Sequence, residues 1–169
     1  MNQSDFLAVV LPFKDKVFRL AKRLLVSREE AEDATQELIF KLWKNKSKIG
    51  NYKNVEAFAM TMTKNYCYDR LKSKQASNLT LVHSNYKEKE TSLDKKLEYQ
   101  DSVNQVHQLI EKLPENQKII IQLRDVEQYD FDEICKMVNM KPTAVRVALS
   151  RARKTIREEL TKKHNYGVS

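Results

Sequence analysis

The side chains best suited to chemistry here are cations and amides, and their spacing suits gripping a polyanion better than making or breaking a covalent bond. Between Lys141 and Lys163 there are eight basic and two acidic residues, whereas Glu115 to Glu133 holds six acidic and two basic. At 100° per residue, Thr143, Arg146, Val147, Ser150 and Lys154 share one face of a helix, while Val145, Leu149, Ala152 and Ile156 share the opposite one. A helix with an apolar back and a cationic front can lay that front in a DNA major groove. The planar guanidinium of Arg146 can donate two hydrogen bonds to one base edge, so Arg146 is the leading base-reading residue. Arg151, Arg153, Lys154 and Arg157 are assigned to phosphates, and Lys141 joins the DNA-binding set. A solvated, Lys/Arg-rich helix end that complements its own dipole would account for the charge but not for the turn in front of it.

Catalysis by the chain itself is not expected. His83, His107 and His164 are scattered, no Ser/His or Cys/His pairing is recognisable, and there is no glycine-rich phosphate loop. Cys67 and Cys135 stand far apart, outside any CxxC or Cys/His pattern, and are expected as reduced thiols on buried or half-buried helix faces, with no metal and no other cofactor. The N-terminal MNQSDFLAVVLPFKDK carries acidic Asp5 before its apolar patch, and Pro12 and Lys14 end that patch. Neither a signal peptide nor a membrane span is expected, and the location is expected to be cytoplasmic.

The elements that must position these groups are helices. Two glycines and three prolines in 169 residues, a rich supply of Leu, Lys, Glu, Gln and Ala, and no alternating β-branched runs predict an all-α chain. That length suits one mid-sized domain or two small ones. Apolar residues at three- and four-residue steps from Phe6 to Leu24 predict a first helix. Ser27 and Glu30 have capping-box spacing and open a second, with Ala31, Ala34, Leu38, Leu42 and Trp43 along its buried face. Lys44 to Lys53 breaks the periodicity and reads as a basic loop. A third helix is predicted from about Val55 to Lys74, with Phe58, Met62 and Tyr66 at helical intervals.

These three helices make a first domain, 1–75. Residues 76–100 are polar and mixed in charge and are expected to form a flexible linker. A second domain, 101–169, is expected to hold a helix ending at Pro114, another over Glu115–Val126, a short helix opened by the Asp130/Glu133 capping-box pair, and a last helix from Pro142 to about Thr161. Short helix, tight turn at Asn139-Met140-Lys141, longer basic helix is the layout of a helix-turn-helix. The net charge of +8 agrees with a polyanionic partner.

The stretch from Leu113 to Leu160, with LP, a run of bulky apolars, an acidic-capped short helix and the Val145 to Arg153 V-x-x-x-L-S-R-A-R segment, resembles region 4 of extracytoplasmic-function sigma factors. Ala31 to Glu37 followed by Phe40 and Trp43, and then Phe58 to Leu71 with Asn65 and Asp69 four apart, resemble region 2 of the same family. The resemblance implies a non-enzymatic subunit that binds core RNA polymerase and directs initiation at promoter DNA, region 4 reading the minus-35 element and region 2 engaging and opening the minus-10 element. It implies docking on the coiled coil of the largest polymerase subunit through Asp33, Gln36 and Glu37, and contact of region 4 with the flap of the second-largest subunit.

Lys48, Tyr52, Lys53, Asn54, Lys64, Asn65 and Arg70 are the DNA-binding candidates of region 2, since trapping an unstacked base requires a loop pocket and cations. An anti-sigma factor stands as an open further partner. Two departures from the family pattern, Val147-Ala148 in the recognition helix and Phe58-Ala59 in the third helix, bear on promoter preference rather than on the framework. The rival readings are a dimeric helix-turn-helix regulator, which leaves the N-terminal motifs unexplained, and a helical protein-binding adaptor, which leaves the cationic final helix unexplained.

Overall fold

Asn2 and Ser27 show how locally the first two helices are set. In the computed structural model, which describes residues 2–77 and 98–168, α1 (Gln3–Leu25) begins where the Asn2 side chain accepts from the Asp5 amide at 2.8 Å. Its inward stripe is Phe6, Val10, Phe13, Val17, Leu20 and Leu24, and Pro12 lies inside the helix rather than ending it. The helix closes at Val26, whose φ of 67° places a β-branched residue in the left-handed region. α2 (Arg28–Lys44) begins where Ser27 Oγ accepts from the Glu30 amide at 3.3 Å. The expected box does not close, because the Glu30 carboxylate pairs instead with Arg70 and Lys74 of a later helix.

Two expectations about the N-terminal unit are corrected. The basic stretch Lys44 to Lys53 is not wholly a loop: α3 (Lys46–Ile49) forms one short helical segment, pinned by the buried Ile49. In α4 (Val55–Ser77) the buried residues are Ala59, Met60, Thr63 and Cys67, while Phe58 is exposed and Met62 and Tyr66 are half-buried. Small side chains let α4 approach α1 closely, and the Thr63 hydroxyl stays satisfied by donating to the Ala59 carbonyl at 2.7 Å. Burial, and secondarily Glu30, pushes the Cys67 thiol up to about 12, as fits an inert structural thiol.

The C-terminal unit comprises α5 (Glu98–Glu111), α6 (Glu115–Ile121), a π-helical turn (Gln122–Val126), α7 (Phe131–Val138) and α8 (Pro142–Val168). The expected helix over Glu115–Val126 thus changes its hydrogen-bond pattern at Gln122, where the Glu127 amide reaches back five residues to the Gln122 carbonyl. It closes with an αL motif, in which the amide of Gln128 at φ 65° donates to the Arg124 carbonyl, and the Tyr129 amide reaches back six residues to the Leu123 carbonyl. The last helix continues past the expected Thr161 to Val168. Among the described residues the chain has no strand. The expected linker 76–100 lies mostly outside the described residues.

The two units share one buried apolar cluster and are further joined by polar contacts. α1 lies against α6 and the π turn, and α4 against α7. Arg19 donates twice to the Glu127 carboxylate, at 2.8 and 2.7 Å, and Gln122 Nε2 donates to the same carboxylate at 3.1 Å. Arg23, almost fully buried, donates to Gln122 Oε1 at 2.9 Å and to the His107 carbonyl at 3.2 Å, and its second amino group meets His107 Nδ1. Lys64 Nζ donates to the Met137 carbonyl at 2.8 Å.

Candidate nucleic-acid interface

The helix-turn-helix is built by local rules. Asp130 accepts from the Glu133 amide at 2.8 Å and Glu133 returns a bond from the Asp130 amide at 3.4 Å, so the capping box that opens α7 closes both ways. Ile134 and Met137 anchor α7 in the core. Asn139 ends it in the left-handed region at φ 54°, a conformation that Asn tolerates, and Pro142 then starts α8 where no intrahelical N–H is needed. Val145, Ala148, Leu149, Ala152 and Ile156 of α8 are buried. Lys141, Thr143, Arg146, Val147, Ser150, Arg151, Arg153, Lys154 and Arg157 are exposed.

Arg146, Ser150, Arg153 and Arg157 line one open groove of about 310 Å³ together with Phe131 and Leu149. The Arg146 guanidinium lies 5.4 Å from the Phe131 ring centre and that of Arg124 lies 4.6 Å from it, so an aromatic face steadies the proposed base reader. Arg153 grips Asp125 with two hydrogen bonds, one of them 3.0 Å from Nε, which raises its pKa chiefly through that bond. Sequence reasoning missed Phe131 and Asp125 because their partners lie 15 and 28 residues away along the chain.

In the N-terminal unit, Asp33, Gln36 and Glu37 are exposed along one side of α2, opposite the buried Ala31, Ala34, Leu38 and Leu42. Phe40 continues that exposed side, half of its surface in solvent and Lys44 Nζ 4.8 Å from its ring centre. Trp43 is instead half-buried and meets Phe6 edge-on at 5.1 Å. At the start of α4, Tyr52 lies against Phe58 with ring centres 4.7 Å apart, beside exposed Lys48 and Lys53.

The other region 2 candidates divide. Asn65 is exposed. Asn54 Oδ1 accepts from the Ala57 amide at 2.9 Å and so serves as the cap of α4. Arg70 stands 3.6 Å from Glu30 and keeps a half-exposed side chain. Lys64 faces α7, and burial there lowers its pKa. Lys64 and Asn65 are therefore not presented together in this arrangement.

The family described as Sigma-70 region 2 matches residues 9–77, and that described as Sigma-70, region 4 matches residues 104–156, together more than two thirds of the chain. The chain belongs to the sigma-70 family. It is similar to the ECF RNA polymerase sigma factor SigW of Bacillus subtilis, 24% identical over 94% of this chain and 90% of that protein. It is also similar to the RNA polymerase sigma-H factor of Pseudomonas aeruginosa, 26% identical over 94% of this chain and 88% of that one.

Among solved structures, the sigma factor RpoE of Bartonella quintana, in complex with the anti-sigma factor NepR, shares the fold with a TM-score of 0.72. That match is 20% identical and covers 93% of this chain and 97% of RpoE. CnrH, in complex with the cytosolic domain of CnrY, matches with a TM-score of 0.68 at 15% identity, over 95% of this chain and 90% of that one. The protein is an extracytoplasmic-function sigma factor and directs promoter-specific transcription initiation by RNA polymerase, with regions 2 and 4 engaging the minus-10 and minus-35 elements. Sigma factors are non-catalytic initiation factors. Among the described residues no helix is long and apolar enough to cross a membrane, and no group of three or more His, Cys, Asp or Glu residues is placed to hold a metal.

Proposed function

We propose that the sigma factor divides its work between residues 1–75 and residues 101–169. The exposed face of α8 enters the major groove at the minus-35 element, where Arg146 reads a base edge. Thr143, Val147 and Ser150 line the same contact, and Lys141, Arg151, Lys154 and Arg157 hold phosphates, with Arg153 released from Asp125 to join them. The observation that supports this most is the two-faced α8, apolar inward and cationic outward, behind a capped helix and a left-handed turn. Tyr52 and Phe58 with Lys48 and Lys53 offer an aromatic and cationic platform for an unstacked minus-10 base, extended by Asn65 and Arg70.

Asp33, Gln36 and Glu37, joined by the exposed Phe40, form the docking stripe for the largest polymerase subunit, while the C-terminal unit meets the flap of the second-largest. The chain itself catalyses no reaction and works in the cytoplasm. An anti-sigma factor is the further partner proposed, since both solved relatives, RpoE and CnrH, are held in complexes.

In vitro transcription with core polymerase over a promoter library tests the assignment. Arg146→Ala is expected to lower discrimination at one minus-35 position by about 1–3 kcal/mol, whereas Lys154→Ala weakens all promoters alike and flattens the salt slope. Equal losses on every promoter for Arg146→Ala would remove it from the base-reading role.

A further inference from the structure

Three arginines around the helix-turn-helix groove are held in three different ways. Arg124 donates to the Tyr129 carbonyl at 2.9 Å and lies over the Phe131 ring, its guanidinium carbon 4.6 Å from the ring centre. Arg153, about two helical turns beyond Arg146 on α8, is taken by the Asp125 carboxylate. Arg146 makes no hydrogen bond or ion pair among the described residues, and its guanidinium lies over the same Phe131 ring at 5.4 Å. All of its N–H donors are therefore open while its position is set by an aromatic face.

The ring is fixed before any DNA arrives. Phe131 is the first residue of α7, directly after Asp130, and the capping box that Asp130 forms with Glu133 closes around it. It is half-buried and packs against the core. A bidentate contact with a base edge requires the guanidinium plane in one orientation. A freely swinging arginine turns to another acceptor when the wrong base is present, which softens the cost of the mismatch. A held arginine cannot follow, so rigidity raises discrimination.

We propose that Phe131 is a specificity-determining positioning residue, whose ring holds the Arg146 guanidinium in the orientation that reads a minus-35 base. The inference rests on the assignment of Arg146 to a base edge. Two neighbours support the arrangement. Arg124, tied at the Tyr129 carbonyl, is a fixed positive charge beside the same ring, and like-charge repulsion keeps Arg146 from collapsing onto it. Asp125 is already occupied by Arg153, so it does not draw Arg146 off the ring.

Transcription by holoenzyme containing the full chain, from promoters carrying each base in turn at each minus-35 position, measures discrimination position by position. Phe131→Leu keeps an apolar side chain on the core and removes the aromatic face. It is expected to lower discrimination about two- to fivefold at the position that Arg146→Ala affects, and to leave the other positions unchanged. Phe131→Tyr keeps the face and should keep the discrimination. Added to Arg146→Ala, Phe131→Leu should cause no further loss at that position.

A second measurement needs no substitution. NMR relaxation of the Nε–H groups in the free full chain should show Arg146 more ordered on the ps–ns timescale than Arg151, which has no ring contact, hydrogen bond or ion pair among the described residues. Equal order for the two overturns the proposal. So does a Phe131→Leu loss spread evenly over all positions, which marks a merely structural role, or an unchanged profile in Phe131→Leu while Arg146→Ala loses its position. If Arg146→Ala itself leaves every position intact, the base-reading assignment fails and takes the role of Phe131 with it, although the relaxation contrast persists.

Discussion

Replacing Glu127 by Ala gives a direct measure of how much the polar contacts between the two units contribute to stability. The Glu127 side chain is 1% exposed and accepts three hydrogen bonds. Its loss leaves Gln122 Nε2, itself in a residue 2% exposed, without that acceptor, which costs about 1–3 kcal/mol. Arg19 loses a bidentate partner, but nearly half of its side chain already faces water, so screening and rehydration reduce that loss to about 0.5–1 kcal/mol.

The expected total is about 1.5–4 kcal/mol, centred below the roughly 3–5 kcal/mol of a pair in which both partners are buried. Urea denaturation, followed by far-UV circular dichroism and by the fluorescence of Trp43, the chain's single tryptophan, measures it. Coincident curves for the wild type report one cooperative unit, and a Glu127→Ala curve split between the probes reports separation of the clasped units. Glu32→Ala serves as the reference, since it removes an exposed pair with Arg28 and should cost less than about 0.5 kcal/mol. A Glu127→Ala effect no larger than that of Glu32→Ala, with the probes still coincident, would refute the reasoning.

Gln36→Ala combined with Glu37→Ala should weaken holoenzyme assembly at least fivefold in a pull-down with core polymerase and leave the thermal melt unchanged, because both side chains are exposed; a lowered melt would assign them to the fold instead. His107 has its pKa lowered first by burial and then by Arg23 and Lys22, so the closed fold favours its neutral form. Below the ordinary value near 6.5 the unfolded or opened chain takes up the proton first, and the closed form loses stability as pH falls from there through the depressed pKa. His107→Asn should flatten that part of the pH profile of the melt. Val26→Gly should stabilise the chain by about 0.5–1 kcal/mol in denaturant titrations, since relief of roughly 1–2 kcal/mol of left-handed strain outweighs the greater freedom of glycine when unfolded.

Much of the architecture was legible because it rests on local chemistry. The long apolar stripe of α1, the Asp130 and Glu133 box and the two faces of α8 depend on residues within a few turns of one another. The misread face of α4 has a physical origin. Periodicity gives weight to large side chains, and this helix packs closely through Ala59, Thr63 and Cys67 while Phe58 faces solvent. The candidate DNA surface was legible as a stripe but not in its state of engagement. Nothing near Lys64 in sequence points to Met137, 73 residues on, and nothing near Arg153 singles out Asp125 as its partner. Nothing in the local sequence marks Gln122 and Glu127 as buried, because the arginines that satisfy them lie 99 and 108 residues away.

The π turn at Gln122 carries one residue more than an α-helical turn would need. Deleting a single residue there would restore α geometry and rotate the upstream helices by about 100° relative to α7 and α8. The capping box of α7 and the recognition helix would survive such a deletion, because each is held by its own neighbours. Gln122 and Glu127 would no longer share an aspect toward α1, and Arg19 and Arg23 would lose their common target. Relatives that differ by one residue between Ile121 and Glu127 are thus expected to keep the same DNA reader while differing in how strongly the two halves hold each other at rest.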